Sequence, residues 1–588
     1  MEAGATRRAQ GGRERSSVVE WAAFYMERGR DTIGTRARRA LLLVVVASAA
    51  AVVMTWPLAT GLDRLGRTAN SGDARVSVWN VAWVAHALLT DPADLFDANI
   101  FHPHKNALAF SEANLVSGII ALPAWWLTGN AETAHNVVVL FSFAATVATM
   151  WLTARRLTGD GWSAATAAVL FAFCPFLFSH TAHIQLLMAA GLPLALLMMH
   201  RLADAPALDR GLWLGLALAA QALACAYYGI FAGFMVAYLT IFFAVSRGLW
   251  RSPAYWTAVI SALAVSVLLV APAFAHYLTL QNETGFGRSL EDAGMYSAYW
   301  RSYLASAAHA HNWMLALIKD WNHEVLFPGF LAMILAAAGA VAMARTPATD
   351  GRRLGGDREL LVLYGSLGVF ALWASLGPRA GLYSLLYKVV PVFSLLRAPG
   401  RTGLLVALIL ALFAAFGVRA LRRRFSGRAS TVVAASCCAA ALLELTGVPI
   451  DWREARPISP VYDVLARMPR GAVAEFPFYE RRIDFHLHTI YMVNSTRHWQ
   501  PLLNGYSDYI PPDFRTLAVT LASFPSPESF EALKQRRARY LVIHRDLYGG
   551  QTAPQIEARL TPYLPYLREV ASDERVRIFE IMAWPNTK

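Results

Sequence analysis

The sequence predicts an α-helical polytopic membrane protein with about 11 transmembrane helices and a C-terminal α/β domain outside the membrane. Three observations carry this. Of the 588 residues, 56% are hydrophobic and only 16% charged, far from the balance of a soluble domain. Many apolar runs reach the roughly 20 residues a spanning helix needs. After about residue 449 the composition changes, and Pro-rich punctuation at 457–460 gives way to short strand-like and helical runs.

Taken in order, residues 1–40 are polar and rich in arginine (Arg7, Arg8, Arg13, Arg15, Arg36, Arg38, Arg39). They read as a basic cytoplasmic tail, with a short amphipathic helix from about Val18 to Arg30. No small-residue cleavage site follows, so the first apolar run is a retained helix rather than a signal peptide. The transmembrane domain covers 41–448. Its first span is about 40–59, closed by Trp56-Pro57, and a long loop, 61–133, follows. Within it, 113–128 is short, broken by Gly118 and Pro123, and ends in Trp125-Trp126, so it reads as lying in the membrane surface. The later spans are then about 134–154, 162–178, 183–200, 211–229, 230–246, 254–275, 326–344, 359–376, 400–418 and 430–448. With that choice every basic loop (Arg155-Arg156, Arg201 to Arg210, Arg247 to Arg251, Arg345 to Arg358, Arg419 to Arg428) falls on the side of the N-terminus. The positive-inside bias therefore places the N-terminus in the cytoplasm and the C-terminal domain, 449–588, outside, as in a bacterial inner (plasma) membrane protein. In that domain, strands are expected at Ala472–Phe478, Tyr540–His544 and Val576–Met582, with helices at 461–467, 527–536 and 553–567.

The formal charge of +13 would suit nucleic acid, but the arginines sit in short loops between spans, as topology signals do, so no nucleic-acid partner is expected. The four cysteines (Cys174, Cys225, Cys437, Cys438) lie in apolar segments without a CxxC, which indicates neither a disulfide framework nor a thiolate metal site. There is no P-loop and no GxGxxG after a strand, which argues against a nucleotide-sugar donor. Neither an internal repeat nor a pair of inverted broken helices appears, which weakens a transporter reading.

Residues 61–112 carry the chemistry. Asp73 follows Gly72 in a turn and precedes a stretch with apolar residues at helical spacing. A carboxylate there can be held at the membrane surface, half out of water, where its basicity is tunable. A solvated N-cap aspartate is the plainer alternative. Glu112 precedes an apolar segment and suits either a helix dipole or a second acid near Asp73. His102 and His104, split by Pro103, are candidate ligands or ordinary loop residues. Tyr227-Tyr228-Gly229 is expected at an outer hairpin, with Tyr228 lining a lipid channel or joining an aromatic belt. The aromatic run from His498 to Pro512 suits either carbohydrate or packing of the outer domain on the membrane part.

An acidic residue in the first outer loop, an interfacial Leu122-Pro123-Ala124-Trp125-Trp126-Leu127 segment, Ala154-Arg155-Arg156-Leu157-Thr158-Gly159 closing the second span and Phe171-Ala172-Phe173-Cys174-Pro175-Phe176 ending the third resemble, in that order, the GT-C membrane glycosyltransferases. Looser echoes are Leu326-Phe327-Pro328-Gly329 and Leu396-Arg397-Ala398-Pro399-Gly400-Arg401. The likeness covers about residues 40–445. It implies transfer of a sugar from a polyprenyl-phosphate-linked donor to a glycan, lipid or protein acceptor among the membrane lipids, with Asp73 as the general base on the acceptor hydroxyl. A phosphate leaving group is a weak base and needs positive charge rather than an acid. The expected cations are Arg397 and Arg401, flanking a Pro-Gly break, with Lys388 and Arg379 nearby. His180, His183 and Gln185 stand where many members of the class hold a metal with an acidic pair. Here the residues are His-Thr-Ala-His, so they read as phosphate hydrogen-bonders or, with Glu112 or Asp73, as ligands of a divalent metal ion, while interfacial helix-end histidines are the plain alternative. The competing function is a non-enzymatic transporter or a lipid-handling or scaffold protein in envelope polysaccharide assembly.

Overall fold

A computed structural model describes residues 33–67, 70–318, 324–346, 356–548 and 552–585. The amphipathic helix expected over Val18 to Arg30 lies outside the described residues. Each of the eleven apolar runs folds as helix: Ile33–Met54, Ala131–Thr158, Gly161–Ala172 continued by Pro175–Ser179, Ile184–Leu187 continued by Gly191–Asp204, Leu208–Ala224, Ala226–Ser246, Pro253–Thr284, Phe330–Arg345, Asp357–Ser375, Gly403–Arg422 and Gly427–Leu445. Among the described residues, eight helices are long and apolar enough to cross a membrane by length and composition. The other three explain the difference from eleven. Leu208–Ala224 and Phe330–Arg345, at 17 and 16 residues, are a turn short, and Asp357–Ser375 opens on Asp357, Arg358 and Glu359, which dilute its apolar run. Leu115–Thr128 is a 14-residue helix, about 21 Å long at 1.5 Å per residue, which cannot cross about 30 Å of hydrocarbon. This fits its placement in the membrane surface.

Small residues set how closely the helices cross. A Cβ on Gly339 would lie 1.9 Å from the Phe413 carbonyl oxygen, and one on Gly417 would lie 2.1 Å from that of Leu335. The backbones of Phe330–Arg345 and Gly403–Arg422 therefore touch at two reciprocal glycines, as apolar helices do when packing rather than water drives their association.

The basic loops meet at one end of the bundle. Asp204 receives both Arg156 and Arg247 (2.8 Å from the latter), Glu359 receives Arg247 at 3.0 Å, Arg419 pairs with Asp357, and Arg422 pairs with Asp160. Loops far apart in sequence thus share one charged layer, which is what a common-side assignment requires.

At the opposite end the first outer loop is joined to the C-terminal segment. Leu65–Arg67 (β1) pairs antiparallel with Trp452–Glu454 (β2). Beyond β2 the chain forms a four-stranded sheet with strands Ala472–Phe476 (β3), Ala538–His544 (β4), Leu567–Ser572 (β5) and Val576–Ile581 (β6) in the order β3-β4-β6-β5. The β3–β4 pair is parallel and the others antiparallel. Strand β5 falls where the sequence suggested the end of a helix at 553–567. That helix stops at Leu560, and a 3-10 segment, Thr561–Tyr566, leads into the strand. A second tie to the outer loop lies farther on. The Phe101 N–H donates to Asn504 O (3.1 Å), the His102 N–H to Leu502 O (2.8 Å) and the Leu502 N–H to Asn99 O (2.8 Å). Chain 499–504 is thereby sandwiched between the loop and β3.

Candidate active site

Asp73 sits in the first turn of helix Ser71–Thr90, where its charge meets the positive end of the helix dipole. Asn70, in the left-handed conformation at φ 52°, turns its amide back so that Nδ2 donates to Asp73 Oδ2 at 2.6 Å. His183 Nε2 donates to the same oxygen at 3.1 Å. Burial works to raise the Asp73 pKa, but His183, Asn70 and the charge of Arg397 outweigh it and hold the carboxyl below its ordinary value. The side chain remains 35% exposed, so a carboxylate is held ionised and still reachable. The C-terminal domain leans on this turn. A Cβ on Gly72 would lie 2.9 Å from His486 Cβ, and Arg75 Nε donates to Thr489 Oγ1 at 2.8 Å.

Behind Asp73, inside the protein, lies a second group of ionisable residues. The ring centroids of His180 and His183 are 5.8 Å apart. His180 Nδ1 lies 2.8 Å from Phe176 O, which as a carbonyl can only accept, so Nδ1 carries the proton and Nε2 offers a lone pair. Burial, and then the neighbouring His183, push the His180 pKa down to about 3, which keeps it neutral. Its Nε2 faces Glu324 Oε2 at 4.0 Å. Glu324 is only 3% exposed, and burial drives its pKa up to about 7 against the pull of Arg401. Glu112 accepts a hydrogen bond from the Ala226 N–H at the start of helix Ala226–Ser246. Burial raises it likewise to about 7, against that hydrogen bond and Arg401. Arg401 lies 4.4 Å over the Tyr227 ring with its Nε buried and without a hydrogen-bond partner. It is a guanidinium with donor capacity to spare.

The outer rim is cationic. Arg397 donates its backbone N–H to Tyr227 OH (3.0 Å) and stands 4.9 Å over the Tyr296 ring. Arg288, in the turn after helix Pro253–Thr284, lies 4.7 Å over Phe286. Both guanidiniums close on one carboxylate, Asp508, 2.9 Å from Arg397 and paired directly with Arg288. Two residues earlier, Tyr506 is close enough to Asp73 and Arg397 to feel both charges; burial first, then Asp73, raise its phenol above the ordinary range. Tyr509, just beyond, lines a cavity of about 370 Å³ shared with His104, Asn106, His276 and Glu283.

The structure thus gathers Asp73, His183 and His180 with Arg397 and Arg401, and it redistributes several other roles. Tyr228 does not line a channel. It is fully buried, with its hydroxyl donating to Leu186 O at 2.8 Å, because the helix break falls at Cys225 rather than after Gly229. Tyr227 is the tyrosine at the arginines. Glu112 is tied to the N-terminus of helix Ala226–Ser246, while Asp73 takes its hydrogen bonds from Asn70 and His183. Gln185 is half-buried in the four-residue helix Ile184–Leu187. His104 pairs with Asp513 at 3.0 Å, Arg379 stands 5.4 Å over Tyr299, and Lys388 is exposed. For the divalent ion that was one alternative at His180 and His183, no group of three or more His, Cys, Asp or Glu is placed to hold a metal among the described residues. His183 faces Asp73 and His180 faces Phe176 O instead. Sequence reasoning missed Glu324, Arg288 and Asp508, while Tyr506 lay in the aromatic run from His498 to Pro512 without a role beside Asp73. Only Glu324 had a local signal, an acid just before Leu326-Phe327-Pro328-Gly329.

No protein-family model and no curated protein matches the chain. Among solved structures it is similar to the Archaeoglobus fulgidus oligosaccharyltransferase in complex with Zn and sulfate, at 13% identity over 89% of this chain and 71% of that one, with a TM-score of 0.48. It is also similar to the oligosaccharyltransferase AglB from the same organism in complex with an inhibitory peptide and a dolichol-phosphate (14% identity, 86% and 69% covered, TM-score 0.41). A third similar structure is ArnT from Cupriavidus metallidurans in the apo state (15% identity, 93% and 98% covered, TM-score 0.38).

Proposed function

We propose that this chain is a membrane glycosyltransferase of the GT-C type, taking a sugar from a polyprenyl-phosphate donor to an envelope lipid, glycan or protein acceptor at the outer face of the membrane. The observation that carries the reading is a half-buried but reachable, ionised carboxylate, Asp73 on His183, accompanied by two arginines of the segment before helix Gly403–Arg422. The first of them, Arg397, acts directly on the Asp73 charge.

The chemistry follows from those groups. Asp73 takes the proton of the acceptor hydroxyl as its oxygen forms a bond to the anomeric carbon. The bond from that carbon to the phosphate oxygen breaks, and its electron pair leaves with the polyprenyl phosphate. His183 holds the Asp73 carboxylate in place through Oδ2, leaving Oδ1 for the acceptor. Arg397 and the unpartnered Nε of Arg401 supply the positive charge that the departing phosphate needs. Glu324 and Glu112, with proton affinities near neutrality, keep the interior behind Arg401 from carrying two further full negative charges.

The test is sugar transfer from a radiolabelled panel of polyprenyl-phosphate sugars by reconstituted protein, with crude envelope glycans included as acceptors. Asp73→Asn should lower turnover by about 10²- to 10⁴-fold, the range of a lost general base, with folding and insertion unchanged. Near-normal turnover in that variant would end the mechanism.

A further inference from the structure

We infer that Arg288 and Arg397 together are the seat of a phosphoryl group of the lipid donor, and that the Asp508 carboxylate occupies this seat until the lipid arrives. The inference rests on the transferase reading and adds to it a binding residue and a resident competitor. The cations are built in. The Arg288 backbone N–H donates to Ser394 O (3.3 Å), its carbonyl accepts from Tyr387 OH (2.6 Å), and its guanidinium lies on Phe286. Arg397 is fixed by Tyr227 and Tyr296. The anion is supplied differently, from an exposed position on the 505–509 loop of the C-terminal domain.

One carboxylate, Asp508, pairs directly with both guanidiniums, while Asp73 and Asp292 act on them only at longer range, and Arg288 loses a proton more easily than an ordinary arginine, first through burial and then through Arg397 beside it. A phosphoryl group, with more acceptor oxygens and at least as much charge, matches two planar forks better than a single carboxylate does.

The experiment measures binding of undecaprenyl phosphate, and separately of inorganic phosphate at matched ionic strength, to the full-length protein in nanodiscs. Asp508→Asn should bind the lipid about tenfold more tightly and Arg288→Gln about tenfold more weakly, one charge-assisted contact each. Asp508→Glu, which keeps the charge, should stay near wild type. In the R288Q/D508N protein the gain from D508N should largely vanish. Unchanged or weaker lipid binding in D508N makes Asp508 a tether between domains and overturns the proposal, as does R288Q binding at wild-type strength. The same ranking with inorganic phosphate alone overturns the lipid assignment in favour of a free anion. The transferase reading fails separately. If no donor is turned over while the lipid ranking holds, the anion seat stands without the reaction; if transfer occurs while the ranking fails, only this inference falls.

Discussion

Glu324 gives the sharpest prediction at the scale of single residues. In an unfolded chain its carboxyl ionises near 4.5, whereas burial in the fold holds the proton until about 7. Between those values the folded protein binds more protons than the unfolded one, so stability falls as pH rises through the window and is lowest above it. The whole effect is about 3 kcal/mol at 1.36 kcal/mol per pH unit. Glu324→Gln removes it. Thermal unfolding of both proteins should show the stability of E324Q relative to wild type rising by about that amount between roughly pH 5 and pH 8, with Glu112 titrating equally in both and cancelling. Parallel curves would mean that Glu324 is ionised throughout. Legibility varied sharply at this scale. Asp73 could be read because its context, a glycine turn ahead of an apolar helix, is local. Arg288 and Asp508 are 220 residues apart, and nothing in either neighbourhood names the other. The choice of Tyr228 over Tyr227 failed by a single residue, since the chain breaks at Cys225 and a helix presents adjacent residues about 100° apart.

Among the elements, helix Leu115–Thr128 decides how firmly the Asp73 helix is held. A Cβ on Gly118 would lie 2.2 Å from Val84 Cγ1 and 2.4 Å from Val84 Cβ, so the Val84 side chain packs straight onto the Gly118 backbone and leaves no room for a second side chain. Gly118→Ala should force helix Ser71–Thr90 outward. The cost is about 1–3 kcal/mol, typical of an overpacked core, and sugar transfer should fall even though every polar residue of the site is present. Wild-type melting and turnover in G118A would show that the crossing has slack. The apolar runs were readable as helices because length and hydropathy alone determine them in lipid. The break within 183–200 was passed over although Gly191-Leu192-Pro193 signals it: Pro193 has no N–H for the Ala189 carbonyl and its ring crowds that carbonyl, and Gln221 Nε2, donating to Met188 O at 2.9 Å, supports the interruption.

For the molecule as a whole, the decisive feature is that the C-terminal domain belongs to the site. Composition marks it off at about residue 449, which suggests an appendage. Its contacts describe a wall instead. His486 rests on Gly72, Thr489 receives Arg75, Asp508 bridges Arg288 and Arg397, and β2 pairs with β1 at the exit of the first span. These ties fall on the turn that presents Asp73 and on the cations facing it, while the glycine crossings and the charged layer at the other end of the bundle involve no residue beyond 445. A chain ending at Gly447 should therefore still insert and keep its bundle, yet transfer sugar at least about 100-fold more slowly, since a catalytic group displaced by an ångström costs on that order. Proteolysis in sealed vesicles should find residues 61–112 newly cleavable while the spans stay protected. Transfer at the full-length rate from the shortened chain would mean that the loop holds Asp73 unaided, and that the outer domain serves the acceptor alone.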